Sequence, residues 1–561
     1  MKILVSAPPP TANGDLHVGH LSGPFLRADI LQRYSRMRGR EVHCINGADE
    51  HQSYVAFRAA QLGMTPQQTV DKFSEAILKT LQAAQIDCDV YLRPSRSIEH
   101  QKLVQEVFAQ LYANGKLKTR ESQELYCESC ERFLFEVYVR GQCPHCGAPS
   151  CGNACEACGR PNQCADLKDP ACNQCGATPI TRSSTRLYFP LAKYEDKLRS
   201  YYESAVMNPR LRSICEGMLE DELPEIVMCH PADWGIPVPV PGFEGQRIYV
   251  WFEVAAGLLS ASQQLSQKLG LSEGWKEFWR ADDVQVVQFC GFDNGYFYGM
   301  LIPALLLAYD PEIKLPAAIL LNEFYRLDGS KFSTSRNHAI WGRELIEQAS
   351  VDTVRFYLAL NGPETEQTNF TLTEFNETVR RTLAGFWQGW LQDLGMRCVN
   401  DYGGVAPSPD IWTDELHRFH DDLKRFIAEA GAAYEPAGFS PRRATAVLMA
   451  LVQAAHSLGQ GSGHEENSSS RRGKLQTRTA LELAAANTLA MLAAPIMPEF
   501  SARLWKNLGN AGSVAEGTWS EEPKWVPPGT RLDDLGQLYF SLTEPPQRSR
   551  AVHGSQGRAI Q

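Results

Sequence analysis

The sequence has no apolar stretch long enough to cross a membrane. No window reaches the roughly 18 uninterrupted apolar residues of a membrane-spanning helix, and residues 1–20 lack the charged-then-apolar pattern of a secretion signal. An excess of positive charge is also absent, because 55 lysines and arginines face 65 aspartates and glutamates, giving a net charge of −10. The negative net charge argues against a protein that binds nucleic acid over its whole surface, so any RNA would have to bind to a local basic patch. Together, these absences predict a cytoplasmic protein with no membrane partner.

Cysteine, in contrast, is abundant, with 16 copies in 561 residues. Eight of them form four Cys-x-x-Cys pairs: Cys127/Cys130, Cys143/Cys146, Cys155/Cys158 and Cys172/Cys175. Each pair can present two thiolates at about 2.3 Å from a tetrahedral zinc ion, so the four pairs can close two structural Zn²⁺ sites. Disulfides are disfavoured because no secretion signal is visible. A redox-active Cys-x-x-Cys is the alternative, although such a motif normally stands alone near a βαβ unit.

The first chemical motif lies at the start of the chain. Residues 2–7 predict a strand, which three prolines end because they cannot donate to a ladder. His17, Gly19 and His20 then open an apolar-periodic helix that extends to about residue 38. Unpaired backbone N–H groups at a helix N-terminus favour an anion, so this turn predicts a phosphate site. Two incidental histidines in an ordinary loop are the alternative.

Apolar strands alternate with helices on both sides of the cysteine-rich segment. Strands are predicted at residues 41–46, 247–252 and 284–290, and the alternation indicates an α/β fold with a Rossmann-type parallel sheet. In such sheets ligands bind beyond the carboxyl ends of the strands. Gly291 and Asp293 follow the strand at 284–290, where a glycine permits close approach and a carboxylate accepts hydrogen bonds from a ribose.

A second candidate phosphate-binding segment spans residues 328–336, with the sequence Asp-Gly-Ser-Lys-Phe-Ser-Thr-Ser-Arg. A glycine followed by Lys331, three hydroxyl residues and Arg336 can form a loop that closes on a polyphosphate. An ordinary solvated surface loop is the alternative.

These patterns divide the chain into five segments. Residues 1–117 and 185–371 are the two halves of the α/β domain, and residues 118–184 are a zinc-binding insertion. Residues 372–544 carry amphipathic helices without strand signals and predict an all-α domain. Residues 545–561 have almost no apolar side chains, so we expect a disordered tail.

The ordered combination of these motifs resembles the methionyl-tRNA synthetase family of class I aminoacyl-tRNA synthetases. The resemblance includes Tyr249-Val250-Trp251 and covers about residues 1–510. It implies adenylate formation from ATP, accompanied by Mg²⁺, with His17, His20 and Lys331 as catalytic groups. It further implies ATP-binding residues (Gly19, Gly291, Asp293, Lys331, Ser333, Ser335 and Arg336) and amino-acid-binding residues (Pro9, Thr11, Asp49, Trp251, Leu258, Asn294 and Tyr298). The helical domain would resemble an anticodon-binding domain, with tRNA as a partner.

Departures from the family's pattern concentrate around the amino acid. Pro9, Thr11, Leu258, Asn294 and Tyr298 align with a leucine, a tyrosine, a tyrosine, an isoleucine and a histidine of the family. Because a buried amide without a partner costs about 1–3 kcal/mol, Asn294 favours a substrate with a polar side chain.

Two further departures concern the phosphates and the RNA. Thr334 stands where the family has a second loop lysine, for which Arg336 can substitute. Gly389 and Asp393 align with the asparagine and arginine that read the anticodon, and residues 453–463 lack the expected tryptophan. An acid in place of an arginine repels RNA.

Three hypotheses follow. The main prediction is activation of methionine and its transfer to tRNA. The alternative is a tRNA-independent paralogue that activates a more polar amino acid and passes it to a small-molecule amine or a carrier protein. A catalytically inactive RNA-binding or regulatory protein is the third; Thr334 favours it, whereas the intact His17, His20, Asp49, Asp293 and Lys331 oppose it.

Overall fold

The computed structural model describes residues 2–332, 338–460 and 468–540. Its centre is a six-stranded sheet of β1 (Lys2–Ser6), β2 (Glu41–Gly47), β3 (Val90–Leu92), β4 (Val206–Met207), β5 (Val284–Gly291) and β6 (Ala318–Asn322). The spatial order is β4-β6-β5-β1-β2-β3, and all neighbouring strands are parallel. Strand order reverses between β1 and β5, which places a ligand crevice beyond their carboxyl ends. The predicted Rossmann-type sheet is confirmed.

Both faces of the sheet are buried. Along β1, Ile3 and Val5 belong to one apolar core and Leu4 to another, because successive side chains of a strand point to opposite faces. The main helices of this domain are Leu26–Met37, Ser53–Leu62, Pro66–Ala83, Ile98–Ala113, Val250–Leu269, Ile302–Tyr309 and Val351–Asn361. Thr65 and Ser97 cap two of them by accepting hydrogen bonds from Gln68 and His100.

The predicted strand at residues 247–252 is wrong over most of its length. Only Gln246–Ile248 forms a strand, and a helix begins at Val250 and continues to Leu269. The apolar run was too short to distinguish strand from helix by periodicity. The difference matters because Trp251 and Glu253 therefore lie on the first turn of a helix.

The insertion has its own antiparallel sheets and a small core. Strand Lys118–Cys127 pairs with Ile180–Pro190 over nine residue pairs, so the two ends of the insertion lie side by side. The remaining strands are Arg132–Phe133, Glu136–Gln142, Pro149–Gly152 and Lys168–Cys172. Few apolar residues support this segment, with Leu125, Val139 and Leu167 among them.

The C-terminal part of the described chain is helical. Its helices are Leu372–Thr378, Gln388–Tyr402, Asp414–Tyr434, Pro441–Gly459, Ser468–Ala493 and Pro498–Asn507. They share one continuous core with β1 and β5. Buried Arg355 ties the two parts together, since its guanidinium donates to Asp29 at 2.6 Å and to the Pro495 carbonyl at 2.9 Å. No helix among residues 2–332, 338–460 and 468–540 is long and apolar enough to span a membrane.

Candidate active site

The turn after β1 holds two stacked imidazoles. His17 caps a short helix, Val18–His20, and its ring centroid lies 3.7 Å from that of His20. The His17 amide donates to His20 Nδ1 at 3.2 Å, and the His20 amide donates to His17 Nδ1 at 3.3 Å. Burial lowers the pKa of His20 to about 4 and the pKa of His17 well below its usual value. Both rings are therefore neutral, with the proton on Nε2 because each Nδ1 accepts a hydrogen bond.

The segment that contains Lys331 packs against this turn. The Phe332 ring stacks on His17 with centroids 4.4 Å apart. A Cβ on Gly19 would lie 3.0 Å from His17 Nδ1 and 3.1 Å from the Phe332 ring, so only glycine fits there without movement. The two predicted phosphate-binding motifs are thus in direct contact.

Gly291 and Asp293 lie at the end of β5, beside the switch point in the sheet. A Cβ on Gly291 would lie 2.6 Å from Asp293 Oδ1, so a larger residue there would displace the Asp293 carboxylate. Burial and the neighbouring Glu156 raise the pKa of Asp293, whereas Lys331 lowers it.

Lys331 ends a β-hairpin formed by Tyr325–Leu327 and Ser330–Lys331. Its ammonium forms an ion pair with Glu156 of the insertion, and both side chains are about half exposed. Ser333, Thr334, Ser335 and Arg336 lie outside the described residues.

A narrow cavity of about 50 Å³ opens beside the end of β2. Pro9, Asp49 and Leu258 line it, so three of the predicted amino-acid-binding residues meet there. Asp49 Oδ2 accepts hydrogen bonds from Thr11 at 3.4 Å and from Gln52 at 3.3 Å. Burial, together with the nearby Glu253 and Glu136, raises the pKa of Asp49 to about 8. An incoming ammonium would favour the ionised carboxylate.

Two further residues of this cavity wall, His100 and Glu253, were not predicted from the sequence, and neither was His51, which contacts Glu253 from outside the lining. Glu253 is 4% exposed, and its Oε1 accepts hydrogen bonds from His51 at 2.8 Å and from His100 at 3.2 Å. Although burial favours the neutral acid, the two histidines lower the pKa of Glu253 to about 2. Glu253 Oε2 has no hydrogen-bond partner. The cavity therefore presents two carboxylates to its occupant.

The other predicted amino-acid-binding residues, Thr11, Trp251, Asn294 and Tyr298, do not line this cavity. Trp251 stacks on Phe297 with centroids 3.7 Å apart and meets the edge of Tyr298 at 6.4 Å. Asn294 is half-buried in the turn after β5. The structure thus brings Pro9, Asp49 and Leu258 together and leaves Trp251, Asn294 and Tyr298 outside the 50 Å³ space.

The eight paired cysteines form two separate groups. One contains Cys127, Cys130, Cys172 and Cys175, and the other contains Cys143, Cys146, Cys155 and Cys158. Sγ–Sγ distances of 3.5 and 3.8 Å in the first group and 3.6 and 3.9 Å in the second fit a tetrahedral ion, whose thiolates about 2.3 Å away are spaced by about 3.8 Å. Each group can therefore hold one metal ion with a closed coordination shell.

The second cysteine group borders the crevice. A Cβ on Gly159 would lie 3.1 Å from the Phe292 ring, so this knuckle packs on the residue preceding Asp293. Glu156 belongs to the same knuckle, between Cys155 and Cys158.

A family model described as "tRNA synthetases class I (M)" matches residues 3–392, which is more than half of the chain. The chain belongs to this family. Among its relatives, methionine–tRNA ligase of Thermomicrobium roseum is 33% identical over 502 residues, covering 89% of this chain and 85% of the relative. Methionine–tRNA ligase of Pyrococcus furiosus is 33% identical over 545 residues, covering 93% of this chain and 74% of the relative. The resemblance inferred from the motifs is confirmed.

Solved structures support the fold of the whole chain. Mycobacterium tuberculosis methionyl-tRNA synthetase in complex with methionyl-adenylate superposes with a TM-score of 0.77 at 19% identity, covering 95% of this chain and 98% of that one. The arrangement of α/β domain, cysteine-rich insertion and helical domain is thus a fold of class I synthetases.

Proposed function

We propose that this protein activates an amino acid with ATP, forms an aminoacyl-adenylate and transfers the acyl group to tRNA, with methionine as the amino acid. The observation that carries the proposal is the position of the His17–His20 turn. It follows β1, while Gly291 and Asp293 follow the neighbouring strand β5, so both lie at the point where strand order reverses.

The residues of the crevice suit attack of a carboxylate on the α-phosphorus. The Nε2–H groups of His17 and His20 would donate to phosphate oxygens, which gain charge in the transition state. Asp293 would accept hydrogen bonds from the ribose, and Lys331 would contact the leaving pyrophosphate. Ser333, Ser335 and Arg336 are proposed to complete the ATP site, with Mg²⁺ arriving on the nucleotide.

Asp49 is proposed to hold the substrate ammonium. It lies on a loop that Glu50 fixes, because the Glu50 carboxylate accepts hydrogen bonds from Ser74 at 2.9 Å and from the Ser95 amide at 2.8 Å. A rigid loop holds the Asp49 carboxylate in place before substrate arrives. Pro9, Thr11, Trp251, Leu258, Asn294 and Tyr298 are proposed to surround the side chain.

The two cysteine groups are proposed to hold Zn²⁺ with structural roles. Four thiolates leave no open coordination position, and apparent zinc binding of about 10–16 kcal/mol can fold a segment with a small core. None of the 16 cysteines, all of which lie within the described residues, forms a disulfide, which supports a reducing compartment, so we expect the reaction in the cytoplasm.

The test is ATP–pyrophosphate exchange with each of the amino acids, followed by aminoacylation of total tRNA. Exchange that depends on methionine, together with charging of tRNA, is the expected result. His20→Ala should abolish exchange without unfolding the protein, whereas His43→Ala, a histidine on β2 away from the turn, should leave it unchanged. Retained exchange in His20→Ala would refute the phosphate role of this ring.

Transfer of a more polar amino acid to an acceptor other than tRNA is the second candidate. It is favoured by the two carboxylates of the narrow cavity and by the outer face of helix Gln388–Tyr402. On that face Gly389 and Asp393 are followed by Met396 and Val399, which are 56% and 62% exposed, so a basic surface for RNA is lacking there. Exchange with another amino acid and no charging of tRNA would favour this candidate over the first.

A further inference from the structure

A second cavity, much larger than the first, lies between the insertion and the α/β domain. Its volume is about 800 Å³, against about 50 Å³ for the cavity beside Asp49. Ser122, Asn162 and Cys164 line it from the insertion. Arg186, on the strand Ile180–Pro190 that leads out of the insertion, lines it together with His230, Tyr249 and Tyr296. None of these residues belongs to the adenylate-forming machinery proposed above.

Three residues of the lining, Arg186, His230 and Tyr296, form what we call the floor of the cavity and carry buried polar atoms without hydrogen-bond partners. Arg186 is 1% exposed and His230 is 6% exposed, and neither Arg186 Nη2 nor His230 Nε2 has a hydrogen-bond partner. The hydroxyl of Tyr296, a residue that is 2% exposed, has none either. Because such groups cost free energy when left unsatisfied, they point to an occupant.

All three groups can donate. Arg186 Nη1 donates to His230 Nδ1 at 3.0 Å, so the remaining proton of a neutral His230 lies on Nε2. Burial and the adjacent Arg186 lower the pKa of His230, which keeps the ring neutral. The ring is held in place by stacking on Phe135 at 4.5 Å. Three donors on residues of one lining suit an anionic oxygen.

The charge balance selects a singly charged anion. Glu124 Oε2 lies 3.6 Å from Arg186 Nη1 and offsets part of its charge, while Glu124 Oε1 accepts from Ser122 at 2.6 Å and Tyr188 at 3.0 Å. With one compensated guanidinium and a neutral imidazole, the floor suits a carboxylate better than a doubly charged phosphate.

The remaining charged residues of the lining, which we call the rim, are net acidic, whereas the floor offers hydrogen-bond donors. Its two arginines are paired with carboxylates: Arg120 with Glu225, which is outside the lining, at 2.8 Å, and Arg160 with Asp221, which lines the cavity too, at 2.7 Å. Glu121, Asp166 and Glu222 also line the space and leave the rim net acidic. A ligand with its carboxylate on the floor would therefore meet acidic groups with its other end.

We infer that this cavity binds a second small molecule, an amino acid or related acid that carries a carboxylate at one end and an amine at the other. The site backs onto the ring pair of Trp251 and Phe297, because Phe297 lines the cavity and stacks on Trp251. The inference concerns binding only and stands whether or not the protein charges tRNA.

The test uses the zinc-loaded full-length protein and three probes that differ only in their ends: 4-aminobutanoate, butanoate and butylamine. Affinities are measured by calorimetry or by ligand-observed magnetic resonance. We expect 4-aminobutanoate to bind most tightly, butanoate to bind more weakly and butylamine not to bind. Equal binding of butylamine, or no binding of any probe at millimolar concentration, would overturn the inference.

Variants locate the site. Arg186→Gln should weaken 4-aminobutanoate about tenfold or more, since it removes a charge-assisted hydrogen bond. The control is Arg182→Gln, because Arg182 is an exposed arginine four residues earlier on the same strand. This substitution should leave the affinity for 4-aminobutanoate unchanged. Ala165→Trp, at an exposed position of the lining, should obstruct the space without touching Arg186, so it replaces Arg186→Gln if that variant does not fold.

A final comparison distinguishes the small molecule from RNA. Total tRNA should bind Ala165→Trp as well as it binds the unaltered protein. If Ala165→Trp weakens tRNA binding and leaves 4-aminobutanoate binding unchanged, the cavity is a channel for RNA and the inference is wrong.

Discussion

Lys331 of the phosphate-binding segment forms an ion pair with Glu156, a carboxylate on the second cysteine knuckle. Glu156 also raises the pKa of Asp293, which lies at the proposed ribose position. One acidic side chain of the insertion thus acts on two groups proposed to bind ATP. With Lys331 in its proposed role, ATP would compete with Glu156 for the ammonium.

Removing this competition should improve ATP binding. We expect Glu156→Gln to lower the KM for ATP about two- to fivefold, because a half-exposed ion pair contributes up to about 1 kcal/mol. Pyrophosphate exchange at varied ATP concentration measures the effect. Glu128→Gln is the matched control, since Glu128 occupies the same place between Cys127 and Cys130 of the first group. An equal effect of both substitutions would show that net charge, and not the Lys331 pair, is responsible.

The pKa of Asp49 predicts a pH dependence of amino-acid binding. Its pKa of about 8 means that the carboxylate is largely protonated at pH 6 and ionised above pH 8, and only the ionised form attracts an ammonium. The KM for the amino acid should therefore fall as pH rises, by about tenfold per unit well below the pKa. His20, with a pKa of about 4, cannot cause a change in this range.

Asp49→Asn provides the control for this dependence. The variant should bind the amino acid weakly at every pH, with a flat profile between pH 6 and 8. The same substitution should raise the free energy of unfolding by an amount that grows as the pH rises from about 4 to about 8 and is constant above that, because burial holds the pKa of Asp49 above its value in the unfolded chain. A wild-type KM that does not change with pH would contradict the proposed role of Asp49.

Much of the α/β framework was readable from the sequence, because it depends on local signals. The predicted strands at residues 41–46 and 284–290 agree with β2 and β5 to within one residue at each end. Continuous apolar runs predict such strands since both faces of the sheet are buried. The caps at Thr65 and Ser97 follow from local side-chain chemistry in the same way.

The chemistry of the cavity wall was less accessible. His51, His100 and Glu253 are far apart in sequence, and Glu253 came directly after a segment predicted as strand. Only the helix Val250–Leu269 directs its carboxylate at the two histidines. No local sequence pattern predicts such a cluster, because it depends on how three separate elements pack together.

The assignment of the four Cys-x-x-Cys pairs to two metal groups also depended on the three-dimensional fold. Spacing alone allowed two zinc sites but did not assign the pairs. The long ladder between Lys118–Cys127 and Ile180–Pro190 joins the outer two pairs, and the inner two are left to combine.

Loss of zinc should be separable into two steps. Cys143→Ser should reduce the metal content from two Zn²⁺ to one per chain, because it breaks the second group only. Cys151→Ser should keep both ions, since Cys151 belongs to neither group. Elemental analysis of the purified variants measures the content. A full complement of zinc in Cys143→Ser would exclude this cysteine as a ligand.

The buried Glu253 should contribute to stability through the histidines. Burial opposes protonation of His51, yet Glu253 raises the pKa of that ring, and His51 lowers the pKa of Glu253, so each group favours the charged form of the other. Glu253→Gln removes the buried carboxylate that accepts hydrogen bonds from His51 and His100, and it should lower the free energy of unfolding by about 1–3 kcal/mol at pH 7. Urea denaturation measures the change, with Glu273→Gln, an exposed glutamate just after the same helix, as the control.

The destabilisation caused by Glu253→Gln should depend on pH, because both Glu253 and His51 have shifted pKa values. The folded pKa of Glu253, about 2, lies below its ordinary value of 4.5, so the stabilisation is complete above pH 4.5 and is lost as the pH falls towards 2. The raised pKa of His51 acts at the other end, since stabilisation is lost as the pH rises through it. The cost of Glu253→Gln should therefore be largest in mildly acidic solution and smaller on either side. A cost that is constant from pH 3 to pH 9 would mean that Glu253 acts by packing and not by charge.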